Sequence, residues 1–575
     1  MPMFLSSLSV YPQRVDRTFS KSALRALYCF AIGLIVLFPS WQTLGERLIG
    51  DEGLDVWSHA WGVRWVFNHL ANGDLPWDVA GLAHPRGGTL WYIDPLGAMI
   101  SLLAQWASGP VLAHNSIIVV AVLLAAGAAM AFARSLGGRG YVAAAALATA
   151  PTFLAEIHNG TVEACWIGLV PLAGAAAMRN PWLGGAAVGL AGLATPYHGV
   201  SAALVVGTIL LLQPTTGTPP PWRQRIANTA GAAAIGAAIA LPAFLALKAN
   251  LDDPMGIAKK STVLLNYPVF RINAVDPISF IHPGDYWTVK LDGPLTTPFR
   301  RTPYLGLTVL GLSACVWVLS KRARAWLVAV VLTAVLALGP FLWHDGDFVR
   351  TSGGDLLALP FRAILGLGVT MDHPLRFICG AVSILAVLAD VAVRRLEARV
   401  PLPALAWTGL IAVIVMVEHL TVAPNVWPIN TSDGDVPTVY ANLEADGAVI
   451  DLPAARGQSI ATNRYLYWQG VHRRPIPYSH KVGPDLPHVN PTLRAWADLS
   501  RSDPGGPNPR GGEARRSSDI DSLVSEGYRW VVVHPELFAS DSVRTAHTQD
   551  LEATLGQPVE LDGRYVWDLR RGLAP

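Results

Sequence analysis

Long apolar runs separated by short polar connections dominate the chain. Residues 23–41 read ALRALYCFAIGLIVLFPSW, with one arginine near the start. A run of about twenty apolar residues is long enough to cross the hydrocarbon core of a bilayer as a helix. Runs of similar quality recur at 110–133, 141–156, 162–178, 183–196, 199–212, 226–247, 304–320, 326–343, 377–393 and 402–422. Several are rich in Ala and Gly, which lowers their hydropathy but suits close helix packing in lipid. The pattern predicts a polytopic α-helical membrane protein with about 11 transmembrane helices. The first run is expected to remain as a span, because Gln42, Thr43, Leu44 and Gly45 after it offer no small-x-small cleavage site.

From about Ala423 the text changes. It is polar, with strand-like runs at 448–452 and 530–533 and, between them, a Gly/Pro-rich stretch at 504–512 that packing alone would not order. The expected division is a transmembrane domain over 1–423, with a long first loop at 42–113 and a second at 248–303, followed by a C-terminal extracytoplasmic α/β domain over 424–575.

Charge then orients the chain. Short loops rich in Lys and Arg stay cytoplasmic. The clusters Arg14/Arg17/Lys21/Arg25, Arg134/Arg139, Arg179, Arg223/Arg225, Lys321/Arg322/Arg324 and Arg394/Arg395/Arg399 share one side only if 183–212 is two short spans. The sequence Thr195-Pro196-Tyr197-His198-Gly199 supplies the break. The 248–303 loop then lies outside, although it carries Lys259, Lys260, Arg271, Lys290, Arg300 and Arg301. The expectation is a bacterial inner membrane protein with its N-terminus in the cytoplasm and its C-terminal domain outside.

Composition agrees with this picture and narrows it. Of 575 residues 52% are hydrophobic and 15% charged, where a soluble chain carries about a quarter charged residues. A net charge of +2 gives no reason to expect nucleic acid as a partner. Cys29, Cys165, Cys315 and Cys379 all fall within apolar runs, as small buried hydrophobes do, with no zinc spacing.

The polar residues predicted at outer membrane ends are the candidate chemistry. The first loop supplies Asp51, Glu52 and Asp55, whose mutual repulsion is expected to raise their pKa values. It continues into 54–70, where Trp57, Trp61 and Trp65 form one helical stripe, as in a helix lying in the membrane interface. Other outer ends carry Glu156 with His158, Tyr197 with His198, Asp345 with Asp347, and Asp372 with His373 and Arg376. Charges inside the spans are scarce and no internal repeat is visible, which argues against a lipid or glycan transporter or flippase. A non-catalytic membrane scaffold with a partner-binding outer domain is the other alternative.

Along the chain stand Asp51-Glu52-Gly53-Leu54-Asp55, Pro76-Trp77, His84-Pro85-Arg86-Gly87-Gly88 and Pro110-Val111-Leu112-Ala113-His114-Asn115. Ala150-Pro151, Tyr304-Leu305-Gly306-Leu307, Leu338-Gly339-Pro340, Pro374-Leu375-Arg376-Phe377 and the strands near 448–453 and 529–534 follow in order. In these motifs and their order the chain resembles the GT-C superfamily of integral membrane glycosyltransferases that use polyprenyl-phosphate-linked sugars, and within it the poorly characterised bacterial members. The resemblance implies inverting transfer of a sugar to an acceptor glycan, lipid or protein on the outer face. Asp51, Glu52 and Asp55 would then be the catalytic carboxylates. Arg64, His84, Arg86, His198, Arg300, Arg301, His373 and Arg376 become candidates for binding the phosphate or substrate. A divalent ion, Mg²⁺ or Mn²⁺, on Asp51 and Glu52 with His158 could share the stabilisation of phosphate charge.

Overall fold

In the computed structural model, the described residues are 12–91, 94–212, 220–257, 273–283, 303–319, 322–344, 347–366, 371, 373–422, 427–444, 446–454, 460–479, 490–499 and 517–570. Arg300, Arg301, Asp345, Asp372 and the 504–512 stretch lie outside them.

Every apolar run contains helix. The helices are α1 (Pro12–Val36), α2 (Val56–Ala71), α3 (Pro95–Ser108), α4 (Pro110–Ser135), α5 (Tyr141–Ala148), α6 (Pro151–Asn159) and α7 (Leu169–Ala177). They continue with α8 (Pro181–Ala194), α9 (Pro196–Gly207), α10 (Trp222–Asp252), α11 (Leu307–Leu319), α12 (Trp326–Ala337), α13 (Ile378–Leu396) and α14 (Ala404–Leu420). Among the described residues, three stretches are long and apolar enough to cross a membrane: Pro110–Ser135, Trp222–Asp252 and Pro374–Arg399. Their surroundings differ sharply. The Pro374–Arg399 window is 94% buried and the Trp222–Asp252 window 11%, so α13 is the central post and α10 a peripheral helix.

The break expected near Pro196 is present. Thr195 is extended (φ −161°, ψ 143°) between α8 and α9, because the ring of Pro196 disfavours helical geometry in the residue before it. A second break falls inside the 141–156 run: α5 stops at Ala148 and Pro151 starts α6. That run is therefore two short helices, for the same proline reason. Small residues let the helices approach: a Cβ added to Gly185 on α8 would lie 2.3 Å from the Ala232 carbonyl oxygen on α10. With Gly189 one turn on, this is the small-xxx-small pattern of close lipid-phase packing.

Basic residues gather at one end of the bundle. Arg25 and Arg179 both lie close enough to Arg134 to repel it, and Arg139 and Arg394 share Glu397.

The tail supplies α15 (Ile460–His472), α16 (Pro491–Leu499), α17 (Ser517–Ser525) and α18 (Asp541–Leu555). Its four-stranded sheet has the order β5-β6-β8-β7, from β5 (Ala448–Leu452), β6 (Tyr528–Val533), β7 (Val559–Leu561) and β8 (Arg564–Asp568). Strands β5 and β6 run parallel, with Ile450 opposite Val531; β6/β8 and β7/β8 are antiparallel. Both parallel strands are buried along their whole length, as covered parallel strands are. Of the remaining strands, β2 (Trp343–His344) and β3 (Asp347–Phe348) form a short hairpin. The pair β1 (Arg47–Ile49) and β4 (Thr431–Asp433) joins the first loop to the start of the tail.

The tail does not stand apart from that loop. One hydrophobic core combines Trp57, Trp61, Trp65, Val79, Leu82 and Leu90 of the loop with Tyr465, Leu466 and Trp468 of α15 and the β5–β6 valines. The three tryptophans expected at a lipid interface are 0%, 2% and 6% exposed, buried under the tail instead. Period alone cannot tell a lipid-facing stripe from a protein-facing one. Within the first loop, α3 presents an apolar face outward, with Met99, Leu103 and Trp106 exposed.

Candidate active site

Three chain segments meet at the end of the bundle opposite the basic residues. The turn after β1 carries Gly50 and Asp51, the end of α6 carries His158 to Gly160, and β4 follows Asn430. The backbone ties them together: Gly50 N donates to the Asn430 carbonyl at 2.9 Å and Asp51 N to the His158 carbonyl at 2.8 Å. Two glycines permit the approach. Gly50 (φ +137°) and Gly160 (φ +73°) adopt conformations that L side chains avoid, and a Cβ on either would press on Val56.

This junction aims the Asp51 side chain. Asn430 Nδ2 donates to Oδ2 at 2.7 Å and Gly53 N to Oδ1 at 2.9 Å, while His158 Nε2 lies 3.9 Å from Oδ2. The carboxylate is 30% exposed, held in orientation but open to solvent. Burial pushes the His158 imidazole below its usual pKa, and the Asp51 charge opposes that shift.

The acidic cluster is dispersed. Glu52 points to the tail, where Arg464 Nη2 of α15 donates to it at 2.8 Å. Asp55, beneath α2, accepts from Asn159 Nδ2 at 3.1 Å. Neighbours in sequence thus face three different partners, and the stacked repulsion expected among them is not the geometry found. Glu52, bonded to Arg464, does not face Asp51 across a shared ion position. No group of three or more His, Cys, Asp or Glu able to hold a metal occurs among the described residues.

Beneath Asp51 lies a buried ionic network. The Arg376 guanidinium grips Glu156 through two bonds of 2.9 and 3.1 Å and reaches Glu163 at 3.4 Å. Glu163 in turn pairs with His59 Nδ1 of α2 at 3.1 Å. Arg376 sits 5.8 Å from the Tyr197 ring, whose hydroxyl accepts the His373 backbone N–H at 2.9 Å. His198, buried, feels the charges of both Arg376 and Glu163. Asp94, at the start of α3, accepts from Gly97 N at 2.8 Å and Trp166 Nε1 at 2.9 Å, with Glu163 close enough to repel it. Burial raises its pKa to about 7.

The expected phosphate and substrate ligands divide accordingly. His198, His373 and Arg376 converge, but Arg376 is neutralised by two carboxylates and is no free phosphate clamp. His84 is a brace for the tail, its Nε2 2.7 Å from the Glu526 carbonyl and its ring edge-on to Tyr528. Arg86 donates to the Pro254 carbonyl at 3.0 Å. Arg64 lies along α2, over the Phe67 ring at 5.6 Å. Asp94 and Glu163 were not singled out in the sequence, although an acid opening the apolar run at 162–178 is the usual mark of a functional membrane-edge charge.

No family model and no curated protein matches the chain. Solved structures do. The arabinofuranosyltransferase AftD from mycobacteria superposes with a TM-score of 0.55 at 15% identity, over 98% of this chain and 40% of that one. The chain therefore spans less than half the length of AftD. ArnT from Cupriavidus metallidurans, solved with undecaprenyl phosphate, scores 0.49 at 14% identity over 97% of this chain and 99% of its own. The archaeal oligosaccharyltransferase AglB from Archaeoglobus fulgidus, solved with an inhibitory peptide and a dolichol-phosphate, scores 0.46 at 12% identity over 91% and 70%. These are GT-C glycosyltransferases, and the superposition on AftD shows that the chain shares their fold.

Proposed function

We propose that the protein transfers a sugar from a polyprenyl-phosphate carrier to an acceptor hydroxyl at the extracytoplasmic face, with Asp51 as general base. One observation carries this reading. Within a GT-C fold, a half-open carboxylate is held by two amide donors, Gly53 N two residues on and Asn430 Nδ2 from 379 residues away, at the end of the bundle opposite the basic residues and above a buried ionic network. Each Asp51 oxygen accepts one N–H and keeps a lone pair for a proton.

The reaction is a single displacement. The acceptor oxygen attacks the anomeric carbon as its proton passes to Asp51, and the carbon–oxygen bond to phosphate breaks with inversion. Polyprenyl phosphate leaves with the electron pair and needs no strong general acid. His158, its Nε2 3.9 Å from Asp51 Oδ2, would take the proton onward through an intervening water. The network of Arg376, Glu156, Glu163 and His59 holds the floor of the site rigid. Phosphate charge would fall to cations of the 248–303 loop, with Arg300 and Arg301 as the candidates.

Asp51→Asn preserves the shape and the Asn430-facing oxygen, gives up the acceptor of Gly53 N, and removes the basic lone pair. Removing a positioned base lowers rate by about a hundred- to ten-thousand-fold. Product glycan should therefore fall by that factor in cells expressing the variant at membrane levels matched to the unmodified protein. Equal product from both would remove Asp51 from the mechanism.

A further inference from the structure

Helix α3 turns one face to the protein and a different, apolar one away from it. Met99, Leu103 and Trp106 are 67%, 80% and 82% exposed. Spaced four and then three residues apart, they share one side of the helix. The opposite side carries Gly97, Ala98, Ser101 and Gln105, all buried, where α3 packs on α2, α4 and α8. Ala98 belongs to the core that the first loop shares with the tail. An exposed apolar face on so firmly seated a helix marks a surface that meets another protein or a membrane.

Three observations favour the membrane. The first is composition. From Pro95 to Ala133 the chain has no acidic or basic residue except His114, which is buried. A protein interface surrounds its apolar centre with a polar rim. Here the flanking residues are Leu96, Ile100, Leu102, Ala104 and Ala107, so the rim is missing.

The second is position. Gly109 (φ +87°) turns the chain directly from α3 into α4, which is long and apolar enough to cross a membrane. The start of α4 is tied to the strand that leads into Asp51: Ile49 N donates to Asn115 Oδ1 at 2.8 Å, and His114 Nε2 lies 3.1 Å from the Ile49 carbonyl. Helix α3 therefore lies where that span enters the bilayer. Its 14 residues extend about 21 Å, short of the hydrocarbon core of about 30 Å. It can enter one leaflet but not cross both.

The third is the level of the aromatic side chains. Trp41 is exposed just past the end of α1, and Asn115 Nδ2 of α4 donates to the nearby Leu44 carbonyl at 2.8 Å. Trp41 and Trp106 thus stand at the same end of the bundle, as tryptophans do at a membrane–water boundary.

We propose that α3 is an interfacial anchor, lying in the leaflet at the Asp51 end of the bundle with Met99, Leu103 and Trp106 among lipid acyl chains. The helix satisfies its own backbone groups there. Its N-cap, Asp94, stays inside the protein on Gly97 N and Trp166 Nε1. The anchor sets the depth of the first loop and, through the shared core, that of the tail. This reading does not depend on the role of Asp51.

The test uses the full-length protein in lipid nanodiscs, with the four native cysteines replaced by alanine and one nitroxide label at a time. Leu103→Cys and Trp106→Cys report on α3, Leu27→Cys on α1 is the lipid control, and Asp541→Cys on the tail is the water control. Oxygen concentrates in lipid and a nickel chelate in water. Both α3 labels should give mobile spectra and an oxygen-to-nickel accessibility ratio close to that at 27 and well above that at 541. Nickel access equal to that at 541 would put the face in water. Immobilised spectra shielded from both reagents would put a protein against it. Either result overturns the proposal. Photolabelling of the unmodified protein with a diazirine-bearing phospholipid is a second reading that does not need the cysteine-free chain to fold. Label should appear within residues 95–108, and label on α1 and α10 but not there would overturn the proposal as well. Asp51→Asn should label as the unmodified protein does, so failure of the anchor and failure of the catalytic reading are distinguishable.

Discussion

Asp94 offers the most quantitative check on the buried network. Its carboxyl is 1% exposed and its pKa is raised from 3.8 to about 7, first by burial and further by Glu163, against hydrogen bonds from Gly97 and Trp166 that lower it. In the unfolded chain the same group titrates near 3.9. Between those two values the folded protein holds a proton that the unfolded chain has lost. Stability must then fall as pH rises, by about 1.4 kcal/mol per unit. The contribution is complete below pH 4 and exhausted above pH 7, where both states are ionised. Across the whole window it amounts to about 4 kcal/mol.

Asp94→Asn removes the titration. It also leaves a single oxygen to accept from two donors, a constant loss of about 1–3 kcal/mol. The diagnostic is therefore a slope. The unmodified-minus-variant difference in unfolding free energy, from detergent–denaturant titrations in mixed micelles at pH 5, 6 and 7, should fall by about 1.4 kcal/mol per unit as pH rises and change sign once the titration outweighs the constant loss, leaving the variant the more stable at pH 7. Taking the difference cancels groups that titrate alike in both. Above pH 7 the difference should stop changing. A difference independent of pH between 5 and 7 would refute the argument, because it would mean that Asp94 is ionised throughout.

Arg376→Met should destabilise the protein by about 3–5 kcal/mol, since it strands two buried carboxylates, and adding Glu163→Gln should recover part of that loss in the same unfolding titration. Gly185→Leu should force α8 away from α10 and cost about 1–3 kcal/mol by overpacking, seen as a lower melting temperature in detergent. A fragment of residues 424–575 should aggregate when expressed alone and become soluble on co-expression with the 42–113 loop, because the two share one core; a soluble, folded fragment alone would contradict this. Single cysteines replacing Arg223 and Arg395 should react with impermeant maleimide only from the cytoplasm, and one replacing Glu552 only from outside.

What was legible in the sequence follows from what each signal encodes. Apolar runs located the helices, because length and hydropathy are local properties, and Pro196 marked its break for the same reason. Pro151, equally local, marked another break that the continuous apolar text around it concealed. The Trp57–Trp61–Trp65 stripe was correct as a period, but its partner was not readable: burial against α15 and burial in lipid demand the same residues. Charges were harder still. Asp51 stood out by its place after the first span, yet its orienting donor, Asn430, is 379 residues away. Arg376 read as a free cation because its counter-charges, Glu156 and Glu163, lie 220 and 213 residues earlier. A buried charge has no function of its own until its partners are known, since those partners decide whether it is spent on structure or left to meet a substrate. By that criterion Arg376 belongs to the scaffold. Asp51, held by amide donors and still 30% exposed, meets the same criterion from the other side, and on that ground it is the base we propose.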